Sequence, residues 1–195
     1  MINRIAIRLT KHLLAKNAIS ADDYELYHYG VFIILSELLL AVFCFAAGAV
    51  FGIPLQGLLF YVSFFSLHRF AGGFHTDTEL KCQTVTLSAF LVFISAIKLC
   101  EAASIKYYIA VFFVCIAVLT IFAPADTPEK ILSDEEKRKF KLLTAAVSAF
   151  FAAVIIILTV LEVSTSVICS VILGTVLETV SVLFGRLLNH KLLKA

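Results

Sequence analysis

The sequence predicts an all-α, polytopic integral membrane protein with about six transmembrane helices and an N-terminal amphipathic helix. Three observations predict it. Of 195 residues, 61% are hydrophobic and only 15% charged, whereas a soluble domain has about 45–50% and about 25%. The apolar residues gather in runs that approach the roughly 20 residues a helix needs to cross the hydrocarbon core. The basic residues collect on one side of the resulting layout. A water-facing surface needs more charge than this, so a soluble domain is excluded. The net charge of +2 says little by itself, and no nucleic-acid partner is expected.

Residues 1–29 are expected to form a cytoplasmic amphipathic segment, and 30–195 a single transmembrane domain. In the first segment Ile2, Ile5, Ala6, Leu9 and Leu13 recur at helical spacing and make one apolar face. Arg4, Arg8 and Lys11 make another, with no acidic residue before Asp22. Such a basic amphipathic helix suits an anionic membrane surface, so the lipid bilayer is a partner. The same basic residues, with Lys16, interrupt the start of the chain too often for a cleavable signal peptide.

The first span is expected over Val31 to Ile53, preceded by an interfacial group of Tyr24, Tyr27 and Tyr29. Pro54 suits the first turn of a second helix, Leu55 to Leu67, which is short for a span. The others are Thr84 to Leu99, Tyr107 to Ala123, Leu142 to Leu161 and Ser166 to Phe184. Six spans put both termini on one side. With a cytoplasmic N-terminus, 14 of the 16 Lys and Arg residues fall inside. The exceptions, Lys98 and Lys106, share one outer loop. Adding or removing a span scrambles this partition.

Residues 68–83 do not fit a membrane interior. They are polar and carry His68, His75 and Cys82. Gly72-Gly73 can adopt backbone angles closed to other residues, so a bend is expected after the second helix. Thr76 and Glu79 have capping-box spacing for a new one. Of the five cysteines, Cys82 alone has polar residues on both sides. No CxxC pair exists, and the spacings fit neither a disulfide framework nor a zinc site. A thiolate is the nucleophilic form of cysteine, and an imidazole can take its proton and later return it to a leaving amine. His75 and Cys82 are seven residues apart, about 10 Å along a straight helix, so the bend must fold the imidazole back. His68 is the alternative base. Two interface residues without chemistry, or metal binding by His68, His75 and Cys82, are the competing readings.

These residues resemble the accessory gene regulator B (AgrB) family. Arg69, Gly72-Gly73, His75 and Cys82 match its Arg…Gly-x-His-x6-Cys pattern at the start of a membrane helix. Ala123-Pro124-Ala125-Asp126-Thr127, with the Lys- and Glu-rich loop through Lys141, is similar to its Ala-Pro signature and basic loop. The resemblance implies a membrane cysteine endopeptidase over residues 30–195 that removes the C-terminal tail of a small AgrD-like propeptide and helps form a cyclic peptide for quorum sensing. It implies Cys82 as nucleophile and His75 as base, with Arg69, Gly72 and Gly73 supporting. It implies no cofactor and no metal, a homodimer, and a bacterial cell membrane. Lys130 stands in the loop as Glu129-Lys130-Ile131, where the family often has an Asn-Lys-Pro-like element.

Two carboxylates, Glu37 and Glu178, fall within spans, and an intramembrane carboxylate is a functional-site hypothesis by default. They are expected to pair with Arg69 or to orient an imidazole; the family resemblance extends to Gly174-x3-Glu178. A small-peptide transporter would use both acids as a polar pathway without needing Cys82. A non-catalytic membrane scaffold would need neither Cys82 nor His75.

Overall fold

A computed structural model of the chain describes residues 2–74, 79–100, 104–125 and 132–192, the last three stretches without the side chains of 79–83, 98 and 189–192. Seven helices account for almost all of it: α1 (Ile2–Ala15), α2 (Tyr24–Val50), α3 (Pro54–Ala71), α4 (Glu79–Cys100), α5 (Ile105–Phe122), α6 (Asp134–Val160) and α7 (Thr165–Leu192). Each expected span lies on one of the six helices after α1. By length and composition α2, α5, α6 and α7 can each cross a membrane, and α4 contains a shorter apolar stretch, Thr84–Ile97. α3, which carries Gln56, Ser63, Ser66, His68 and Arg69, is more polar than α2.

Local chemistry sets the boundaries. Gly52, at φ 77°, turns the chain after α2, and Pro54 opens α3 where its missing N–H costs nothing. α3 then runs past Leu67 to Ala71. Tyr24, Tyr27 and Tyr29 lie inside α2, whose first residue is Tyr24. α6 starts eight residues before the expected Leu142. Ser133 caps it, its hydroxyl accepting from the Glu136 N–H at 3.3 Å while Glu136 accepts from the Ser133 N–H at 2.9 Å. That reciprocal capping box satisfies two otherwise orphaned donors.

α3 and α7 cross at the centre, with α2 packed on α3, α5 on α7, and α6 against both. Of the most apolar windows of the four long apolar helices, 56% is buried in α7 but only 11% in α2, so α7 is interior with α3 and α2 is peripheral. Small residues make the closest crossings possible. A Cβ at Gly174 would lie 2.5 Å from the Phe60 carbonyl oxygen, and one at Gly57 2.5 Å from that of Cys44. One core cluster joins Leu67, Phe112, Leu119, Phe151, Ile155 and Ile172. A second joins Cys44, Tyr61 and Cys169 to an aromatic group in which Phe60 stacks on Phe93 at 4.3 Å. Ile34, Leu38, Leu39, Val42 and Phe45 of α2 stay exposed. So extended an apolar face is incompatible with water and suits lipid.

α1 packs on α2. Ala6 and Thr10 are its buried residues, the Thr10 hydroxyl donating to the Ala6 carbonyl at 2.9 Å. Asn3 Oδ1 lies 3.0 Å from His28 Nε2 of α2. Ile5 and Leu9 remain over 40% exposed, so the apolar face is divided between the protein and the surroundings.

Candidate active site

α3 ends at the Gly-Gly bend. Gly72 takes φ 66° and Gly73 φ 151°, values that favour a residue without a Cβ. The Gly72 N–H still donates to the His68 carbonyl at 3.1 Å, closing the last turn. Two other parts of the chain hold this bend. The Ala125 N–H donates to the Ala71 carbonyl at 2.9 Å, and Gly72 and Ala125 form a parallel bridge. From α7, the Ser181 hydroxyl accepts from the Phe74 N–H at 3.1 Å. Gly185 lets the two backbones touch: a Cβ there would be 2.6 Å from the Gly73 carbonyl carbon. Arg186 donates to the Pro124 carbonyl at 3.4 Å and lies 5.6 Å from the centre of the Phe122 ring, tying the Ala123–Ala125 turn to α7. The two stretches with family-like motifs therefore meet.

One turn before the bend, His68 Nδ1 lies 2.8 Å from Glu178 Oε2. Glu178 is fully buried and the His68 side chain is 15% exposed. The His68 ring stacks on Phe64, with centroids 5.1 Å apart. The second oxygen of Glu178, Oε1, has no hydrogen-bond partner among the described residues. On the other side, the Tyr61 hydroxyl donates to the Glu37 carboxylate and lies 3.1 Å from the Glu37 backbone carbonyl.

A cavity of about 280 Å³ lies between these groups. α2 contributes Glu37 and Leu40, and α3 contributes Phe64, Phe65 and His68. Phe74 comes from the bend, Val85, Thr86 and Ala89 from α4, and Leu177, Val180, Ser181 and Phe184 from α7. Its walls are mostly apolar, with a few polar groups, which is the usual character of a small-molecule or side-chain site.

Of the residues singled out in the sequence, Glu37, Glu178, Gly72 and Gly73 converge here. Glu178 does orient an imidazole, and that imidazole is His68. Arg69 is exposed. His75, the proposed cap at Thr76, Lys130 and the Cys82 side chain lie outside the described residues. Cys82 belongs to α4, and Val85, Thr86 and Ala89 follow it by three, four and seven positions in that helix. Phe74 immediately precedes His75. Tyr61, Ser181 and Arg186 were not singled out. Ser and Tyr in spans carry little signal alone, and Arg186 reads as one more basic residue of the tail.

The chain matches the profile of the family described as Accessory gene regulator B over residues 2–182. It is 23% identical over 191 residues to a Listeria innocua protein named "Putative AgrB-like protein", covering 96% of this chain and 89% of that one. A Clostridium perfringens protein named "Putative AgrB-like protein 2" is 23% identical over 145 residues, 71% of this chain and 68% of the relative. A Listeria monocytogenes relative is 29% identical over 136 residues, 68% and 65% of the two chains. No solved structure matches. With a family match from α1 into α7, this multi-pass helical protein belongs to the accessory gene regulator B family.

Proposed function

We propose that this chain is a membrane-embedded cysteine endopeptidase that removes the C-terminal tail of an AgrD-like propeptide and forms a cyclic peptide intermediate. One observation carries the reading beyond family membership. The mostly apolar cavity is bordered by Phe74, next in sequence to His75, and by Val85 and Thr86, three and four positions after Cys82 in α4.

In this mechanism His75 accepts the Cys82 thiol proton as sulfur attacks the scissile carbonyl. The proton then passes to the leaving amine, the C–N bond breaks, and the propeptide remains on Cys82 as a thioester. A water-poor cavity protects that thioester from hydrolysis. A Cys or Ser of the bound peptide then attacks it, closing a thiolactone or lactone and returning the thiol. Arg69 and Lys130 contribute to a basic inner face, which suits an acidic tail because complementary charge steers encounter. In this reading both termini, the segment 68–83 and the loop 124–141 face the cytoplasm of a bacterial cell. Residues 1–29 form a surface segment on the peptidase domain 30–195.

The test is co-expression with an AgrD-like propeptide, followed by mass spectrometry. Tail-free and cyclised products with the wild-type chain, and uncut propeptide with Cys82→Ala, support the peptidase. Export of intact propeptide by both forms would replace it with a transporter.

A further inference from the structure

We propose that the cavity between α2, α3, α4 and α7 takes one aromatic side chain of the propeptide, with Ala89 setting the size it admits. The inference rests on an AgrD-like propeptide being the substrate and names the kind of side chain by which this chain selects it.

The walls lead to it. Four phenylalanines line the cavity: Phe64 and Phe65 from α3, Phe74 from the bend and Phe184 from α7. Each ring packs on a neighbour. Phe74 and Phe184 meet edge to face with centroids 5.2 Å apart, Phe65 stacks on Tyr61 at 5.8 Å, and Phe64 stacks on His68 at 5.1 Å. Aromatic rings favour edge-to-face and offset contacts with one another and gain from them beyond plain burial. The volume sets the number of guests. A dry apolar cavity of about 150 Å³ holds one benzene ring. At about 280 Å³ this one has room for one aromatic side chain and its attachment to a backbone, but not for a packed helix.

Val85 of α4 and Phe184 of α7 line the cavity while remaining 48% and 49% exposed, so it lies directly under the surface between those helices. Polar groups in the wall separate a peptide from a lipid. Glu37, whose carboxylate accepts from the Tyr61 hydroxyl, and Ser181 both line it. A lipid acyl chain is apolar throughout and would cover these groups without offering them a partner, which costs free energy. A peptide side chain brings its backbone amides to the same edge. Ala89 is the smallest residue of the lining, so a larger side chain there takes up space that a guest needs.

The test measures binding of an AgrD-like propeptide to the full Cys82→Ala chain, which lacks the candidate nucleophile, in lipid nanodiscs. Partition into empty nanodiscs is subtracted. A panel replaces each aromatic and each large aliphatic residue of the propeptide by alanine in turn. Replacement of one aromatic residue should raise Kd about 10- to 100-fold, the usual weight of burying such a side chain. Adding Ala89→Phe should raise Kd for the unaltered propeptide by a similar factor and leave Kd for that one alanine variant unchanged. Ala89→Leu repeats the test with a smaller intrusion. Leu91→Phe, at a position of α4 that is 62% exposed, should change neither value. A wild-type Kd in both Ala89 variants would overturn the pocket, as would an equal loss for every propeptide in the panel. Sensitivity at an aliphatic position alone would overturn the aromatic assignment. A phospholipid that co-purifies with the Cys82→Ala chain and is expelled by Ala89→Phe would give the cavity to an acyl chain. Failure of the chain with Cys82 intact to cut a propeptide that binds in this manner would sink the peptidase reading and leave the pocket standing.

Discussion

Gly72 and Ala125 lie side by side, so close that a Cβ on Gly72 would stand 2.7 Å from the Ala125 carbonyl oxygen. The contact seats the turn after α5 against the bend after α3. Gly72→Ala meets both that carbonyl and φ 66°, a region that costs a non-glycine residue about 1–3 kcal/mol where the surroundings enforce it. Its thermal midpoint in detergent should fall and propeptide cleavage should drop sharply. Gly30→Ala is the control, with nothing within 4 Å of the added Cβ in the second turn of α2. It should hold or raise the midpoint, since Ala in a helix gains about 0.5–1 kcal/mol over Gly.

The α3–α7 crossing is the second sensitive point. Gly174 faces Ser63, and its Cβ would also sit 3.0 Å from the Phe64 backbone nitrogen. Gly174→Val should force the helices apart, at an overpacking cost of about 1–3 kcal/mol. Because His68 and Leu177 line the cavity from those two helices, acylation should fall more than stability alone explains. Thermal scans in detergent, paired with a single-turnover assay, separate the two effects. A Gly174→Val chain with wild-type midpoint and activity would contradict this packing.

Much of this architecture was legible in the chain. Periodicity and charge placement located α1 and the six apolar helices, and Pro54 and Gly72-Gly73 announced a start and a bend. Among the boundaries that differ from expectation, α2 starting at Tyr24 and α7 running on to Leu192 included, two show different reasons. The Ser133–Glu136 capping box was present in the sequence, but the charged first turns of α6 hid the helix behind a loop-like composition. α3 outruns Leu67 because its polar end is sheltered by α7, which a hydropathy pattern cannot register. The site divides likewise. Glu178 stood out as an acid in a span, yet its partner lies 110 positions away. Only the α3–α7 crossing brings them together. Ser181 and Tyr61 are ordinary residues until their partners, the Phe74 N–H and the Glu37 carboxylate, are placed beside them.

Ser181 fixes the backbone just ahead of His75. Ser181→Ala removes the acceptor of the Phe74 N–H, a hydrogen bond worth about 0.5–1.5 kcal/mol. The chain should remain folded and membrane-bound while cleavage slows several-fold. Ser181→Thr, which keeps the hydroxyl, should stay nearer wild type. Equal activity in all three forms, measured as initial cleavage rate, would show that the bend does not need this anchor.

Orientation follows from the basic residues, 14 of 16 on one side in the six-span layout. A cysteine probe replacing Lys106, in a background without native cysteines, should react with an impermeant maleimide added to intact cells. A probe at Lys137 should react only after the cells are opened. Labelling at Lys137 from outside would refute the proposed orientation.

The central claim is that Cys82 carries the propeptide as a thioester, and trapping that species tests it most directly. Cys44, Cys100, Cys115 and Cys169 are buried in the helix bundle. A chain with all four replaced by alanine should therefore remain active. Incubated with an AgrD-like propeptide and quenched in acid, it should show one adduct, of tail-free propeptide mass, on Cys82. Added thiol should release it, and His75→Ala should prevent its formation. Continued formation of tail-free product by a chain lacking Cys82, or an adduct on a different residue, would contradict the account.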